Sequence, residues 1–519
     1  MTATRSAALD VDDDATPTSI PRPERRTLVH ALVLGVVVAT SASLAIALHR
    51  NGHTTGDDFA LYLRQARSLF DGDVAQVVAD NRFTVISSGG LFSPIAYPWG
   101  WPLLLSPFVH LWGYDYGRLK LLEVAAFCLW LVLAHGIVRR RAGRLLAIAV
   151  VAVVGTAPVL LLHTDQLLSE YPHAAMVAVF IWWLDRIKAH RPLIAASTSQ
   201  LVVLGVIGAA AYNIRREAVI LVAVVAATQI AELLLARRHG PGVPIPWKTV
   251  GTPYAAFFGS IISFQLLLPS MLMPDNGDSP SYVLDRMGDF THVLTDQLGI
   301  GDHPQIGVAI LALAAVGMVV GCIRRPQFDV SLAVLTILSA VTVSTHFRMV
   351  GRYYFQILPW LLYFAAVAVI AGVELLLRPR DRRFAVAAAV VPMVFLVGVH
   401  VKALPDDISA AQRFNEGGRQ QIGPTDPTFA PVFAAVEQYT PPDAVIVFYR
   451  ARLMTLYTDR RTIQTTSLDI ALRTGDYYAQ QRYTDYSQPP LTATDAATLG
   501  LVEVWSDAKW ILWRLPDPV

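Results

Sequence analysis

The sequence predicts an all-α polytopic membrane domain of about eleven transmembrane helices, followed by a small C-terminal α/β domain. Three observations predict it. Of 519 residues, 54% are hydrophobic and only 16% are charged, where a soluble chain usually carries about 25% charged residues. The charges are gathered into gaps between long apolar runs. Residues 403–519 then lose those runs and take on short alternating and β-branched stretches. A net charge of +2 is too small to argue for nucleic acid. Cys128 and Cys322 lie far apart inside apolar runs, which gives neither a disulfide framework nor a metal spacing.

Residues 1–27 are polar, acidic and Pro-containing and read as a disordered cytoplasmic tail. The transmembrane domain is placed at 28–402. Its first run, Leu28–Leu48, is too long for a signal-peptide core of about 7–15 residues, so it reads as an uncleaved span. The others are Leu119–Val138, Leu145–Leu162, Leu168–Leu184, Leu193–Ile214, Ala218–Leu235, Pro253–Leu272, Ile306–Ile323, Val330–Ser344, Tyr354–Leu377 and Phe384–Val401. With the N-terminus inside, segments 22–26, 139–144, 185–191, 237–248, 324–329 and 378–383 all fall on the inner face. Every one is basic, as positive-inside topology demands. Eleven spans then put the C-terminus outside. The reading is a multi-pass bacterial plasma-membrane protein with an extracytoplasmic C-terminal domain.

Two outer pieces lie within the membrane domain, loops 49–118 and 273–305. The second includes an amphipathic helix around Tyr282–Leu298 on the membrane surface. The tail, 403–519, contains a helix at Pro431–Tyr439 and strands at Ala444–Tyr449 and Trp510–Leu515.

The chemistry concentrates on the outer side. Asp57 and Asp58 follow the first span and precede a helical pattern in which Phe59, Tyr62, Leu63, Ala66 and Leu69 share one face. The pair reads either as a helix N-cap or as a general base facing a pocket at the membrane surface. Asp165 and Glu170 flank a short turn beside two spans, where a carboxylate belongs in loop solvent or in a wet cavity rather than in lipid. Arg215, Arg216, Arg348 and Arg352 sit on the outer side against the positive-inside bias. Guanidinium forks bind phosphate in two-point fashion, so arginines beside carboxylates suggest an anionic lipid head group next to a base. Arg–Asp pairing between helices is the other reading.

The order of these features resembles a known family. It runs from the acidic pair through Tyr97-Pro98-Trp99-Gly100-Trp101-Pro102 to Ser169-Glu170-Tyr171-Pro172. A Gly-containing helix ending in arginine follows, and then Arg352-Tyr353 with Pro359 six residues on. Together with the tail segment Pro441 to Ile463, this set is similar to the GT-C glycosyltransferases. These polytopic enzymes use polyprenyl-phosphate sugars, and the nearest subgroups are of the protein O-mannosyltransferase and lipid A aminoarabinose transferase type. The resemblance implies a GT-C-like fold and transfer of a sugar from a polyprenyl-phosphate donor to a hydroxyl of a glycan, protein or lipid, with inversion, in cell-envelope synthesis. It makes Asp57 the catalytic base and gives Asp58 the acceptor or an optional metal. It assigns Asp165 and Glu170 to a second acidic, acceptor-side loop, and Arg216, Arg348, Arg352 and Tyr353 to the donor phosphate. The first loop lacks the phosphate-binding lysine of some relatives, leaving Arg82 as a substitute, and Trp99 replaces the second proline of the usual pair. No cofactor is assigned; a divalent cation at Asp57 and Asp58 stays open, with no third ligand fixed by spacing. A transporter or lipid-linked substrate flippase is the rival reading, although no repeat or inverted symmetry of broken helices accompanies it. A sensor or scaffold is the third.

Overall fold

The structure is a computed structural model and describes residues 25–89, 94–238, 246–271, 281–301, 303–346, 350–377, 382–482 and 488–516. Every predicted span falls on helical segments, the third on two α-helices. After α1 (Arg25–Ala47) come three helices before the next span: α2 (Asp58–Asp71), α3 (Val74–Ser87) and α4 (Gly100–Trp112). The membrane run resumes with α5 (Tyr116–Ala142), α6 (Arg144–Thr156), α7 (Pro158–His163), α8 (Glu170–Lys188), α9 (Thr198–Ile214), α10 (Ile220–Arg238) and α11 (Trp247–Leu267). Two short helices, α12 (Tyr282–Asp285) and α13 (Met287–Gln297), lead to α14 (Pro304–Arg324), α15 (Pro326–Ser344), α16 (Leu358–Leu377) and α17 (Arg382–Glu416).

Among the described residues, eight helices are long and apolar enough to cross a membrane unaided. The other predicted spans are α6 and α9, which are shorter, and α8, whose ends carry Glu170, Asp185, Arg186 and Lys188. The chain is a multi-pass membrane protein.

Local chemistry explains the helix ends. Pro158 disfavours helical geometry at Ala157, which is extended (φ −62°, ψ 116°) and splits the predicted third span into α6 and α7. Proline at the first position starts both α14 and α15. Ser197 and Gln200 form a reciprocal capping box, so α9 begins at Thr198 rather than at Leu193. The predicted Pro253–Leu272 span is displaced to Trp247–Leu267, with Pro253 inside the helix. The surface helix expected around Tyr282–Leu298 is two pieces broken at Arg286. The last membrane helix does not stop at Val401 but continues to Glu416. At 1.5 Å per residue its 35 residues reach about 52 Å, enough to cross the bilayer and carry the chain into the tail.

The tail folds as α18 (Ala430–Tyr439), β1 (Val445–Val447), α19 (Ala451–Thr458), β2 (Arg461–Ile463), α20 (Leu468–Thr474), β3 (Tyr477–Gln481), α21 (Ala493–Thr498), β4 (Val502–Ser506) and β5 (Trp510–Arg514). The sheet order is β2-β1-β3-β5-β4, with β2, β1 and β3 parallel and β5 antiparallel to both of its neighbours. It is a small α/β domain, and it is not loosely tethered. Phe59, Tyr62 and Leu63 of α2 and Trp101 and Leu105 of α4 share one apolar core with Phe429, Phe448, Leu453 and Trp510 of the tail. Helix α2 is buried on more than its apolar face, with Arg64 and Gln65 also enclosed, because the tail covers it. Trp99 and Trp101, in the segment before and within α4, are also core residues. Gly100 is required there, since a Cβ would meet the Asn213 carbonyl oxygen at 2.5 Å.

Candidate active site at the junction of the two domains

The loop entering α2 is held from below. Lys120 Nζ donates to the carbonyls of Arg50 (2.9 Å) and Gly52 (2.6 Å) and to Asp165 Oδ1 (2.7 Å). Asp165 also accepts from the Arg50 backbone (3.1 Å) and side chain (3.3 Å) and from Gln421 Nε2 (3.1 Å). His53 packs on Phe59, with ring centroids 3.9 Å apart, and its Nε2 accepts from the Leu167 backbone N–H at 3.0 Å. Burial pushes the His53 imidazole down to about 3, so it is a neutral positioning group at physiological pH.

On this platform Asp57 occupies the N-cap position of α2, yet its side chain makes no capping bond. An N-cap aspartate ordinarily folds back onto the helix amides. Here the carboxylate turns to the tail: Oδ1 accepts from the Arg452 backbone N–H at 3.2 Å, and Oδ2 lies 3.8 Å from the Arg450 guanidinium. Burial raises its proton affinity above the ordinary carboxylate range. Arg450, Arg452 and the Arg452 amide pull the other way, and neighbouring Asp58 adds to the rise. Asp58 accepts from the Tyr97 hydroxyl at 2.6 Å and lies 3.5 Å from Arg352.

Both carboxylates line a cavity of about 650 Å³ between the membrane helices and the tail. Glu170, Arg216, Arg352 and Tyr353 line it too, joined by Arg215, Glu217, Arg450 and Arg452. Helix α8 supplies Glu170, whose Oε1 accepts from Arg352 Nε (2.8 Å) and Arg215 Nη1 (3.2 Å), while Oε2 is buried without a partner. Arg215 is held by Glu217 (2.7 Å) and by the face of Tyr353, 4.8 Å from its centroid; Arg352 lies 5.3 Å from the same ring. Arg216 differs. Its Nη2 donates to Ser270 Oγ at 3.1 Å, its Nε is buried without a partner, and among the described residues no carboxylate lies within ion-pair distance. Among the described residues five arginines face four carboxylates, and the least compensated of these cations is Arg216.

The structure separates the sequence-predicted residues. Asp57, Asp58, Glu170, Arg216, Arg352 and Tyr353 meet at the cavity. Asp165 does not line it: fully buried, it is consumed by the Lys120–Arg50–Gln421 node that anchors the loop. Arg348 lies outside the described residues. Arg82 is also absent from the lining, and its Nη2 meets Met271 Sδ at 2.9 Å. The residues missed were Arg450 and Arg452, which stand just past β1 at the start of α19, at the carboxyl end of a parallel strand where α/β sheets commonly present ligand-binding groups. Their Arg-Ala-Arg spacing was visible, but nothing local ties it to Asp57. Among the described residues, no three His, Cys, Asp or Glu side chains come together as a metal site.

The fold can be compared with those already known. The chain matches the crystal structure of ArnT from Cupriavidus metallidurans in the apo state at 12% identity, covering 94% of this chain and 97% of that one, with a TM-score of 0.51. It matches the apo oligosaccharyltransferase of Archaeoglobus fulgidus at 11% identity, over 87% and 69% of the two chains, with a TM-score of 0.56. The same organism's oligosaccharyltransferase AglB, in complex with an inhibitory peptide and a dolichol-phosphate, matches at 10% identity over 88% and 70%, with a TM-score of 0.53. This is the GT-C fold. No family model matches the chain, and no curated protein does. Identities this low carry the architecture and leave the chemistry to the cavity's own residues.

Proposed function

We propose that this protein is an integral membrane glycosyltransferase that moves a sugar from a polyprenyl-phosphate donor to an acceptor hydroxyl on the extracytoplasmic face, with inversion. One observation carries the reading: Asp57 stands at a helix N-cap without capping and faces a cavity that also holds Arg216, a cation with no carboxylate partner among the described residues. A general base and a phosphate receptor are the two groups that such a displacement needs. A cavity of about 650 Å³ is the size of an ordinary small-ligand site. The dolichol-phosphate of the archaeal AglB complex shows a polyprenyl phosphate on the same fold.

In this mechanism the lipid phosphate sits among Arg216, Arg352 and Tyr353. The acceptor oxygen attacks the anomeric carbon while its proton passes to Asp57. The bond from the anomeric carbon to the phosphate oxygen breaks, and the electron pair leaves on the phosphate, where charge builds and the guanidinium groups are most effective. Single displacement from the face opposite the phosphate inverts the anomeric centre. Asp58, oriented by Tyr97 and Arg352, positions the acceptor, and Glu170 holds Arg352 and Arg215 in place.

The test is sugar transfer in proteoliposomes. Purified protein is offered a panel of radiolabelled polyprenyl-phosphate sugars beside Asp57→Asn and Arg216→Gln variants. Release of polyprenyl phosphate by the wild type and its loss in both folded variants supports the reading. Consumption of no donor, or equal consumption by Asp57→Asn, sinks it and brings the transporter forward.

A further inference from the structure

The end of the bundle opposite the tail has a cavity of its own, about 320 Å³, where α5, α14, α16 and α17 meet. Its rim carries Arg324, Arg325, Arg382 and Glu374; its floor is Ala142, Val367 and Ile370. Arg325 is fully engaged: it pairs with Asp329 at 3.2 Å, donates to the Tyr363 hydroxyl at 3.0 Å and reaches the Arg141 carbonyl. Arg324 and Arg382 are not. Among the described residues they share a single carboxylate, Glu374, at 2.7 Å and 3.5 Å, and both are about half exposed or more. Two exposed guanidiniums over one carboxylate leave, among these residues, a unit of positive charge at the rim. The wall below runs into lipid-facing side chains, with Leu375, Leu376, Leu377 and Ile323 between 63% and 80% exposed.

We propose that this cavity binds the head group of an anionic glycerophospholipid, independently of the transfer reaction. Arg324 and Arg382 take the phosphodiester, and the acyl chains lie along the Ile323 and Leu375–Leu377 surface. Three features favour a lipid over a free anion. The rim charge is at the ends of membrane helices, where phosphates of the bilayer lie. The floor is apolar, which a free phosphate cannot use. The arginine forks suit a phosphate oxygen pair. Glu374 is the built-in competitor, because each arginine it holds is withheld from the ligand.

Full-length protein purified in a neutral detergent is titrated with short-chain phosphatidylglycerol, phosphatidylcholine and inorganic phosphate, read by native mass spectrometry and by thermal shift. The wild type is expected to retain phosphatidylglycerol over phosphatidylcholine, and Arg324→Gln with Arg382→Gln to weaken it by roughly tenfold, about 1.4 kcal/mol. Glu374→Gln is expected to tighten it. Its two ion pairs involve half-exposed or exposed arginines and contribute little to stability, so the variant folds. A control pair on the same end, Arg186→Gln with Arg191→Gln, removes equal charge and leaves retention unchanged. Equal loss in the control pair overturns the site in favour of diffuse surface charge. Inorganic phosphate binding as tightly as phosphatidylglycerol overturns the lipid assignment, and weaker binding by Glu374→Gln overturns the geometry.

Discussion

Helix α8 ends in carboxylate–arginine clusters at both sides of the membrane, and the two clusters do opposite things. Glu170 and Asp185 are fifteen residues apart, about 22 Å along the axis. At the Asp185 end both carboxylates, Asp185 and Asp329, are spent on buried partners and no open space adjoins them, although Arg141 Nε makes no hydrogen bond of its own. Arg141 pairs with Asp185 through both terminal nitrogens, one at 2.9 Å, and with Asp329 at 3.2 Å; Asp329 also takes Arg325 at 3.2 Å and the Tyr363 hydroxyl at 2.9 Å. Arg141, Asp185 and Asp329 are essentially sealed from solvent. That cluster clamps four helices. At the Glu170 end the same residue types line open space, Glu170 Oε2, Arg216 Nε and Arg450 Nε are left over, and Asp57 declines its structural role. A charged cluster becomes a site when the fold leaves part of it unspent, because burying an unpaired polar atom costs free energy that only a ligand returns.

The comparison breaks most sharply on Asp57. General-base catalysis is worth about 10²–10⁴ in rate, so Asp57→Asn should lose that much transfer while keeping its fold in a detergent melt. Unfolding of the variant instead would place Asp57 with the clamp. Next in size is Arg141→Gln, which removes one partner of a dry ion-pair network and should cost about 3–5 kcal/mol. Thermal or denaturant unfolding in micelles measures it, and a change within about 0.5 kcal/mol would deny the clamp. The mirror experiment is Arg216→Gln. With only Ser270 to lose, it should shift stability by no more than about 0.5 kcal/mol, yet slow transfer by about 10²–10³, as removal of a transition-state donor does. Comparable stability losses in the Arg141 and Arg216 variants would erase the distinction between the two ends.

The membrane helices were legible because twenty apolar residues in a row have few other uses; α4 was not, since thirteen residues with Pro102 and Pro107 fall short of a span. The site was legible in part. Arg216 stood out as an outer arginine, and its neighbour Arg215, identical in type and setting, proves to be spent on Glu170 and Glu217. Asp165 and Glu170 sit five positions apart in one loop with nothing local to rank them. The distant partners Lys120, Arg50 and Gln421 mark Asp165 as structural. The release of Asp57 from capping depends on Arg452, 395 residues downstream, and no local pattern encodes a contact of that separation.

The smallest expected effect tests why Asp57 is poised at all. Burial outweighs Arg450 and Arg452, so its carboxyl holds a proton more tightly when folded than when unfolded. The base works only when ionised. Transfer should therefore fall on the acid side at a pH above the roughly 3.9 of an unperturbed aspartate. The same shift has a sign for stability. With the folded value raised, the stabilising contribution is fully present below the unfolded value and is lost as pH rises through the folded one. At neutral pH the ionised side chain is thus a cost, and Asp57→Asn should melt higher than wild type, with the gain shrinking as the pH is lowered through the folded value. Melts of both proteins from neutral to acid pH decide it. A variant less stable than wild type at neutral pH would mean that pairing with Arg450, 3.8 Å away, outweighs burial, and that Asp57 belongs with the satisfied charges at the other end of α8.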